Sequence, residues 1–389
     1  MTVENRLVVL ASGGTGGHIF PARALAEALA ARGVKVVLVT DNRGQGFGDA
    51  VANVETLRVT AGSPIGNPLQ RIAGFARLAR GYFEARRILK RLRPDAVVGF
   101  GGYPAAPTMM AAVRLRLPTL IHEQNAVLGR VNRMLAPRVD RIATAHEVVA
   151  GIAERDRRKI VRTGNPVRAA VVRLRDTPFP APEPEGELRV LVLGGSQGAR
   201  ILSNVVPEAI ARLPEDRRTR IRVTQQCRPE DIARVRDTYA AYRVANELAV
   251  FFDDLPERLG ACQLLIARAG ASTVAELSVA GRPAILVPYA AATDDHQAAN
   301  ARAVAAIGGA WMMREDVFRP EALAARLEFY LRQPSILCRA AIRARECGMP
   351  DAAERLADLT LALTEGGANG GGRGKDANGR TDAAREKAA

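Results

Sequence analysis

The stretch Val8-Val9-Leu10-Ala11-Ser12-Gly13-Gly14-Thr15-Gly16-Gly17-His18 runs from a β-branched apolar segment into a glycine-rich turn, and residues 21–32 continue it with helical spacing. A second stretch, Val190-Leu191-Val192-Leu193-Gly194-Gly195-Ser196-Gln197-Gly198, has the same plan and again leads into a helical segment. A hydrophobic strand feeding a Gly-rich turn that opens a helix is how a doubly wound α/β domain begins. Two such starts in one chain predict two Rossmann-like domains. The first is expected to carry strands at 7–11, 34–40, 96–100, 119–122 and 141–144. The second is expected to carry them at 189–193, 221–224, 249–252, 264–267 and 284–287. Longer Ala/Leu/Arg stretches, such as 274–280, lie between them. Parallel sheets covered by helices on both faces follow from that alternation. The boundary is placed at 163–166, after the last strand of the first series, giving domains of 1–163 and 164–344. Residues 177–187, with four prolines, read as a surface loop early in the second domain.

The chain has 389 residues and 48% hydrophobic residues, enough for two cores, while aromatics are only 4%. Lys and Arg number 56 against 41 Asp and Glu, a net charge of +15, which points to a polyanionic partner or an anionic surface. The four cysteines (Cys227, Cys262, Cys338, Cys347) are scattered with no CxxC pair, so they read as reduced thiols and not as a disulfide framework. Met1 to Arg6 with Glu4, followed by a short apolar run, does not read as a signal peptide. The uncharged window 96–113 contains five Gly and Pro residues and reads as strand, loop and helix start, not as a span. Residues 366–389, with seven glycines and no apolar period, read as a disordered tail contributing only +2.

Successive backbone N–H groups of a glycine turn, together with a helix N-terminus, bind phosphate oxygens. A third such turn, Gly99-Phe100-Gly101-Gly102-Tyr103-Pro104, follows the strand at 96–99. None carries the Walker spacing. The first also lacks the dinucleotide fingerprint, because Ile19 stands at the third glycine position, although Asp41 ends the second strand where a ribose-binding acid would be. Three anion-binding turns after parallel strands suggest two phosphorylated ligands meeting at a cleft.

Read together, Gly13 to His18, Gly99 to Pro104, His122-Glu123-Gln124-Asn125, Thr163 to Arg168, Gly194 to Arg200, Arg268 to Glu276 and Asp294 to Gln297 carry a specific resemblance. In order and spacing they resemble the MurG family of peptidoglycan N-acetylglucosaminyltransferases, over about residues 5–363. The resemblance implies the GT-B fold, two Rossmann-like domains facing a cleft, with the last helix, about 345–365, packing back on the first domain. It implies transfer of N-acetylglucosamine from UDP-N-acetylglucosamine to the C4 hydroxyl of lipid I, giving lipid II, with inversion. It also implies a peripheral position on the cytoplasmic face of the bacterial plasma membrane; no cofactor is expected, and no essential metal, since Asp253-Asp254 and Asp294-Asp295 are adjacent pairs and no DxD-type pair stands near a strand end. Other cell-wall and division proteins are possible partners, and no nucleic acid is expected.

Carried over residue by residue, Glu276 would accept hydrogen bonds from the ribose hydroxyls, as an acceptor-only carboxylate suits a vicinal diol. Ser196 and Arg168 would face the diphosphate. Phe252 would lie at the uracil with Arg268 stacking there, and the turn Ala271, Ser272, Thr273, Val274, Ala275 would present amides to ribose and phosphate. Gln297 with His296 would read the sugar hydroxyls, while Thr15, Gly16, Gly17 and Asn125 approach the sugar from the first domain. Gly13, Gly14, Gly101, Gly102 and Tyr103 would hold the acceptor diphosphate. A single displacement needs one base and no protein nucleophile. His18 is the first choice, with Glu123 or His122 able to share or replace the role.

The acceptor's polyprenyl chain brings the enzyme to a bilayer. The segment from Gln70 to Arg93 holds eight bases against the single acid Glu84, with Ile72, Phe75, Leu78, Ala79, Tyr82 and Leu89 as an expected apolar face and Arg77, Arg80, Arg87 and Arg91 on one stripe. This is the expected contact with the anionic inner leaflet. Three other readings stay open on residues alone: a sibling GT-B enzyme glycosylating a diacylglycerol, a dinucleotide-dependent oxidoreductase and a nucleic-acid-binding module.

Overall fold

A computed structural model describes residues 6–13, 16–41, 54–63, 67–195 and 198–368. The first half of the chain runs β1 (Leu7–Ala11), α1 (Gly16–Ala30), β2 (Lys35–Thr40), β3 (Glu55–Arg58), α2 (Pro68–Leu92), β4 (Ala96–Gly99), α3 (Gly102–Arg114), β5 (Thr119–Glu123), α4 (Arg130–Leu135), β6 (Arg141–Thr144) and β7 (Ile160–Arg162). Its sheet is all parallel in the order β3-β2-β1-β4-β5-β6-β7. After α5 (Ala169–Arg173), the second half runs β8 (Leu188–Leu193), α6 (Arg200–Ala211), α7 (Glu215–Arg218), β9 (Ile221–Gln226), α8 (Ile232–Ala241), β10 (Ala245–Ala249), α9 (Leu255–Ala261), β11 (Leu264–Ala267), α10 (Ala271–Ala280), β12 (Ala284–Leu286), α11 (His296–Ala305), β13 (Ala310–Met312), α12 (Pro320–Arg332), α13 (Ser335–Cys347) and α14 (Ala352–Ala368). That sheet is also parallel, in the order β10-β9-β8-β11-β12-β13.

The central strands β1, β4 and β11 are buried along nearly their whole length, as expected of parallel strands covered on both faces. Each sheet changes direction of winding beside its first strand, at β1/β4 and β8/β11. The crevice beyond the strand ends at such a switch point is where α/β sheets take ligands, and all three glycine turns open there.

The glycine turn opens α1 at Gly16, and Pro21 lies inside the helix, which ends at Ala30. Two expectations shift. The strand expected at 249–252 is displaced to Ala245–Ala249. Its sequence, ANELA, is polar because β10 is an edge strand with exposed side chains, whereas the apolar Phe252 follows the strand and is buried. The last helix begins at Ala352, not near 345, since α13 packs with α10 of the second sheet's layer.

Helix α14 returns to the first sheet's layer and packs on α1, burying Leu356 and Ala357 in the cluster of Val8, Leu10 and Leu25. Arg32 pairs with Glu354 and, at 2.6 Å, Asp358, while Arg6 Nη1 donates to Thr364 Oγ1 at 2.7 Å. The helix extends to Ala368, so the first residues assigned to a tail are helical; residues 369–389 lie outside the described residues.

Helix α2 inverts part of its expected packing. Its buried residues are Gly74, Gly81, Ala85 and Leu89. A Cβ at Gly81 would come 1.8 Å from the Thr60 carbonyl oxygen, so only glycine permits that approach. Leu89 is buried and Leu78 and Tyr82 are half-buried, whereas Ile72 and Phe75 are 66% and 58% exposed, with Leu69 and Phe83 exposed beside them. Ala79 is exposed as well. Gly74, Gly81, Ala85 and Leu89 face the protein, while Leu69, Ile72, Phe75 and Phe83 face outward.

Candidate active site

His18 lies in the first turn of α1, where Ser12 Oγ donates to its carbonyl at 2.9 Å and ties the turn to the end of β1. Opposite it, Gly101 and Gly102 adopt left-handed backbone, with φ of 80° and 71°, and open α3. A Cβ at Gly102 would stand 3.4 Å from His18 Nε2, so the glycine turn and the imidazole share one wall. A cavity of about 210 Å³ brings together His18, Gly101, Gly102, Tyr103, Glu123 and Asn125 of the first sheet's layer with Thr293, Asp294 and His296 of the second.

The second layer reaches this cavity through two consecutive left-handed residues, Asp294 (φ 54°) and Asp295 (φ 51°), immediately before α11. Aspartate tolerates this conformation better than most residues. Asp294 pairs with Arg133 of α4 at 3.2 Å, and Asp295 with Arg314 at 3.1 Å. His296 Nδ1 stands 2.7 Å from the Thr293 carbonyl, and Gln297 Oε1 accepts from Tyr289 N at 3.0 Å.

Burial pushes His18 below the ordinary histidine value, opposed by the charge of Glu123 and the bond to Gln124, with His296 adding a smaller downward effect. His122, fully buried, is pushed down to about 4, chiefly by desolvation. Glu123 is 1% exposed. Its Oε1 accepts from Asn125 N (3.0 Å) and Asn125 Nδ2 (3.1 Å), and its Oε2 from Gly129 N (2.8 Å) and Asn132 Nδ2 (2.9 Å). A carboxylate offers about four acceptor sites, so Glu123 is saturated by its own loop.

Arg168 and Glu276 meet in a bidentate pair, Nε to Oε1 at 2.8 Å and Nη2 to Oε2 at 2.9 Å, while the guanidinium lies 5.2 Å from the Phe20 ring of α1. Phe252 is buried with Arg258 over its ring at 4.2 Å; Arg258 is held by Glu247 and Asp254. Arg268, expected to stack at the uracil, lies over the Tyr289 ring at 5.2 Å and pairs with Glu315 at 2.6 Å. Ala271, Val274 and Ala275 of α10 line a larger cavity of about 820 Å³ with Gln124, Gly164 and Asn165. Ser272 Oγ is buried without a partner, and Thr273 follows it in the same turn. Gly16 and Gly17 form the first turn of α1, and Gly13 packs against Thr40 and Pro104. Thr15, Gly14 and Ser196 lie outside the described residues.

Sequence reasoning missed Asn300. It is fully buried on α11, its Oδ1 accepts from Ala126 N at 2.8 Å, and its Nδ2 donates to Asn125 Oδ1 at 3.0 Å and to the Ala269 carbonyl at 3.2 Å. It fixes Asn125 from the other sheet's layer. Nothing local in the sequence marks it, since its partners are up to 175 residues away.

Residues 8–144 match the N-terminal domain of glycosyltransferase family 28 and residues 189–356 its C-terminal domain. The chain is 56% identical to the UDP-N-acetylglucosamine–N-acetylmuramyl-(pentapeptide) pyrophosphoryl-undecaprenol N-acetylglucosamine transferase of Rhodospirillum centenum, over 95% of this chain and 96% of that one. It is 52% identical to the protein of the same name from Paramagnetospirillum magneticum, over 93% and 98%. Among solved structures, Acinetobacter baumannii MurG superposes with a TM-score of 0.73 at 30% identity, over 92% of this chain and 99% of that one. The glycosyltransferase of kitacinnamycin superposes at 0.68 with 17% identity, covering 92% and 99%, a likeness of fold alone.

Proposed function

Since this chain belongs to glycosyltransferase family 28, and within it to the UDP-N-acetylglucosamine–N-acetylmuramyl-(pentapeptide) pyrophosphoryl-undecaprenol N-acetylglucosamine transferases, we propose that it converts lipid I to lipid II. N-Acetylglucosamine moves from UDP to the C4 hydroxyl of the acceptor's N-acetylmuramic acid, with inversion. The observation that carries this reading is the cavity between the two sheets' layers, where His18 faces the Gly101–Gly102 turn on one side and His296 on the other.

In this mechanism the acceptor diphosphate is held by the Gly13 and Gly101–Tyr103 turns, and its sugar hydroxyl points at His18 Nε2. The imidazole takes the hydroxyl proton as the oxygen forms its bond to the anomeric carbon. The bond to UDP breaks with its electron pair leaving on the diphosphate. Because burial keeps His18 below the usual histidine value, the ring is neutral and ready to accept a proton at neutral pH. The charge of Glu123 stabilises the imidazolium that forms, and its saturated oxygens make it an organiser of the loop, not the base. Glu276 is read as the ribose acceptor and Arg168 as the diphosphate's counter-charge, which requires the donor to open or share their pair.

Among the described residues no helix is long and apolar enough to cross a membrane. We assign the bilayer contact to α2, which packs on α3, the helix opened by the acceptor turn. Its exposed Leu69, Ile72, Phe75 and Phe83 would enter the interface while Arg77, Arg80, Arg87 and Arg91 meet anionic headgroups. This gives a peripheral position on the cytoplasmic leaflet. The deciding experiment offers labelled UDP-N-acetylglucosamine with either lipid I or diacylglycerol. Label in lipid I is expected, and label in diacylglycerol alone would replace this reading with that of the sibling enzyme.

A further inference from the structure

We propose that Gln124 is a positioning residue that fixes the tautomer of His18, so that the ring carries its proton on Nδ1 and presents an unprotonated Nε2 to the cleft. The proposal deepens the reading of His18 as the base and rests on it for its catalytic consequence.

Gln124 directly follows β5 and is 1% exposed. Its Nε2 stands 3.0 Å from the Phe100 carbonyl oxygen, 3.2 Å from the His122 carbonyl oxygen and 3.1 Å from His122 Nδ1. Two of these three neighbours are backbone carbonyls, which can only accept. The amide therefore has one sensible orientation, because a flip would set its oxygen against both. With the nitrogen so placed, Oε1 points at His18 Nδ1, 3.2 Å away. An amide oxygen only accepts, so Nδ1 must be the donor. A neutral imidazole protonated on Nδ1 has its lone pair on Nε2.

The far end of the network agrees independently. His122 Nε2 lies 2.9 Å from the Gly164 carbonyl, so it donates there, and the neutral ring offers Nδ1 as the acceptor that Gln124 Nε2 needs. Every bond thus runs the same way: His18 Nδ1–H to Gln124, Gln124 N–H to His122, and His122 Nε2–H to Gly164. The closeness of His18 Nε2 to Gly102 means that the free lone pair faces the turn assigned to the acceptor. The charged and titratable groups around the ring are Glu123 of β5 and, from α11, His296. Neither supplies an acceptor bond to the ring; the backbone acceptor beside it is the Phe100 carbonyl, which Gln124 Nε2 also engages.

The chain has four histidines, so its ring nitrogens can be resolved individually. The test is a long-range ¹H–¹⁵N correlation spectrum of the full chain labelled in histidine rings, near pH 7.5, with His18 assigned by its loss in His18→Ala. His18 is expected as the Nδ1–H tautomer and His122 as the Nε2–H tautomer. In Gln124→Leu, His18 should move toward the Nε2–H form. Its kcat should fall roughly tenfold to a hundredfold, the usual effect of removing a hydrogen-bonded orienting partner, with the donor KM within twofold. Gln124→Glu, which retains an acceptor against Nδ1, should restore the Nδ1–H form. An Nε2–H His18 in the unaltered protein overturns the proposal even if Gln124→Leu does not fold. Persistence of Nδ1–H in a folded Gln124→Leu protein overturns it too. A tautomer change with kcat unchanged upholds the relay and overturns the role of His18 as base, so the two readings fail separately.

Discussion

Arg168 and Glu276, 108 residues apart, hold each other through two parallel hydrogen bonds of 2.8 and 2.9 Å, and both side chains are largely shielded from water. The carboxylate proposed to receive the ribose hydroxyls is thus already engaged by the guanidinium proposed to face the diphosphate. Such two-pronged pairs are geometrically selective as well as strong. In the ligand-free protein the pair keeps both groups in place without leaving a buried charge unpaired.

Glu276→Ala is therefore expected to weaken donor binding by roughly 1–3 kcal/mol, the scale of lost charged hydrogen bonds. Arg168→Ala should weaken it as well, and the double variant should lose less than the sum, because each single variant strands its partner. Calorimetric titration with UDP-N-acetylglucosamine measures this. Strict additivity would mean that the two residues act on the donor independently, and unchanged affinity in Glu276→Ala would remove its assignment.

His18→Ala should lower kcat by about 10²–10⁴-fold while UDP affinity changes little, as expected for a general base. Since burial lowers the folded pKa of His18 below 6.5, its protonated form appears only at lower pH. The acid limb of kcat is then expected below the ordinary histidine value, and it should vanish in the variant. A raised acceptor KM with intact kcat would make His18 a positioning residue for the acceptor.

Much of this site was legible because its backbone scaffolding lies in short contiguous motifs. Strands such as β1 and β8 are largely apolar and run directly into glycine turns that open the next helix. Edge strands β3 and β10 were not legible: each pairs on one side only and exposes polar side chains, so neither an apolar run nor alternation marks it. Gln124 was visible inside its motif, but its role was not, because it depends on the Phe100 and His122 carbonyls converging in space. The same holds for Arg168, whose engagement by Glu276 no spacing announces.

Replacing Arg77, Arg80, Arg87 and Arg91 by Gln should weaken binding to vesicles containing anionic lipid, with a contribution of about 1 kcal/mol for each base near the surface. Phe75→Ser with Phe83→Ser should weaken binding to neutral vesicles too, since these exposed rings do not depend on headgroup charge. Transfer to a water-soluble acceptor should persist in both variants. Vesicle co-sedimentation that is unchanged in both would exclude α2 as the membrane face.

Asn300→Ala removes three hydrogen bonds in a fully buried position and leaves the Ala126 N–H without its acceptor. An unsatisfied buried group costs about 1–3 kcal/mol, so a lower unfolding midpoint is expected. Because Asn125 also loses its hold from α11, donor KM should rise. A drop in stability with donor KM unchanged would make Asn300 purely a structural contact between the two layers.

Acid should destabilise the protein before its carboxylates titrate. His122, with a folded pKa of about 4 against 6.5 when unfolded, binds its proton only on unfolding between those values. The unfolded state then holds more protons, so stability rises with pH across that window and is lost as pH falls from about 6.5 toward 4. For His122 the full loss is about 3 kcal/mol, from about 1.4 kcal/mol per pKa unit. His146, also pushed down to about 4 by burial and then by Arg162, adds to the same slope. Thermal unfolding followed from pH 7 to pH 4 should show a falling midpoint, and His146→Gln, which has no ring to protonate, should fall less steeply. Parallel curves for the two proteins would mean that His146 is hydrated and titrates normally in the folded state.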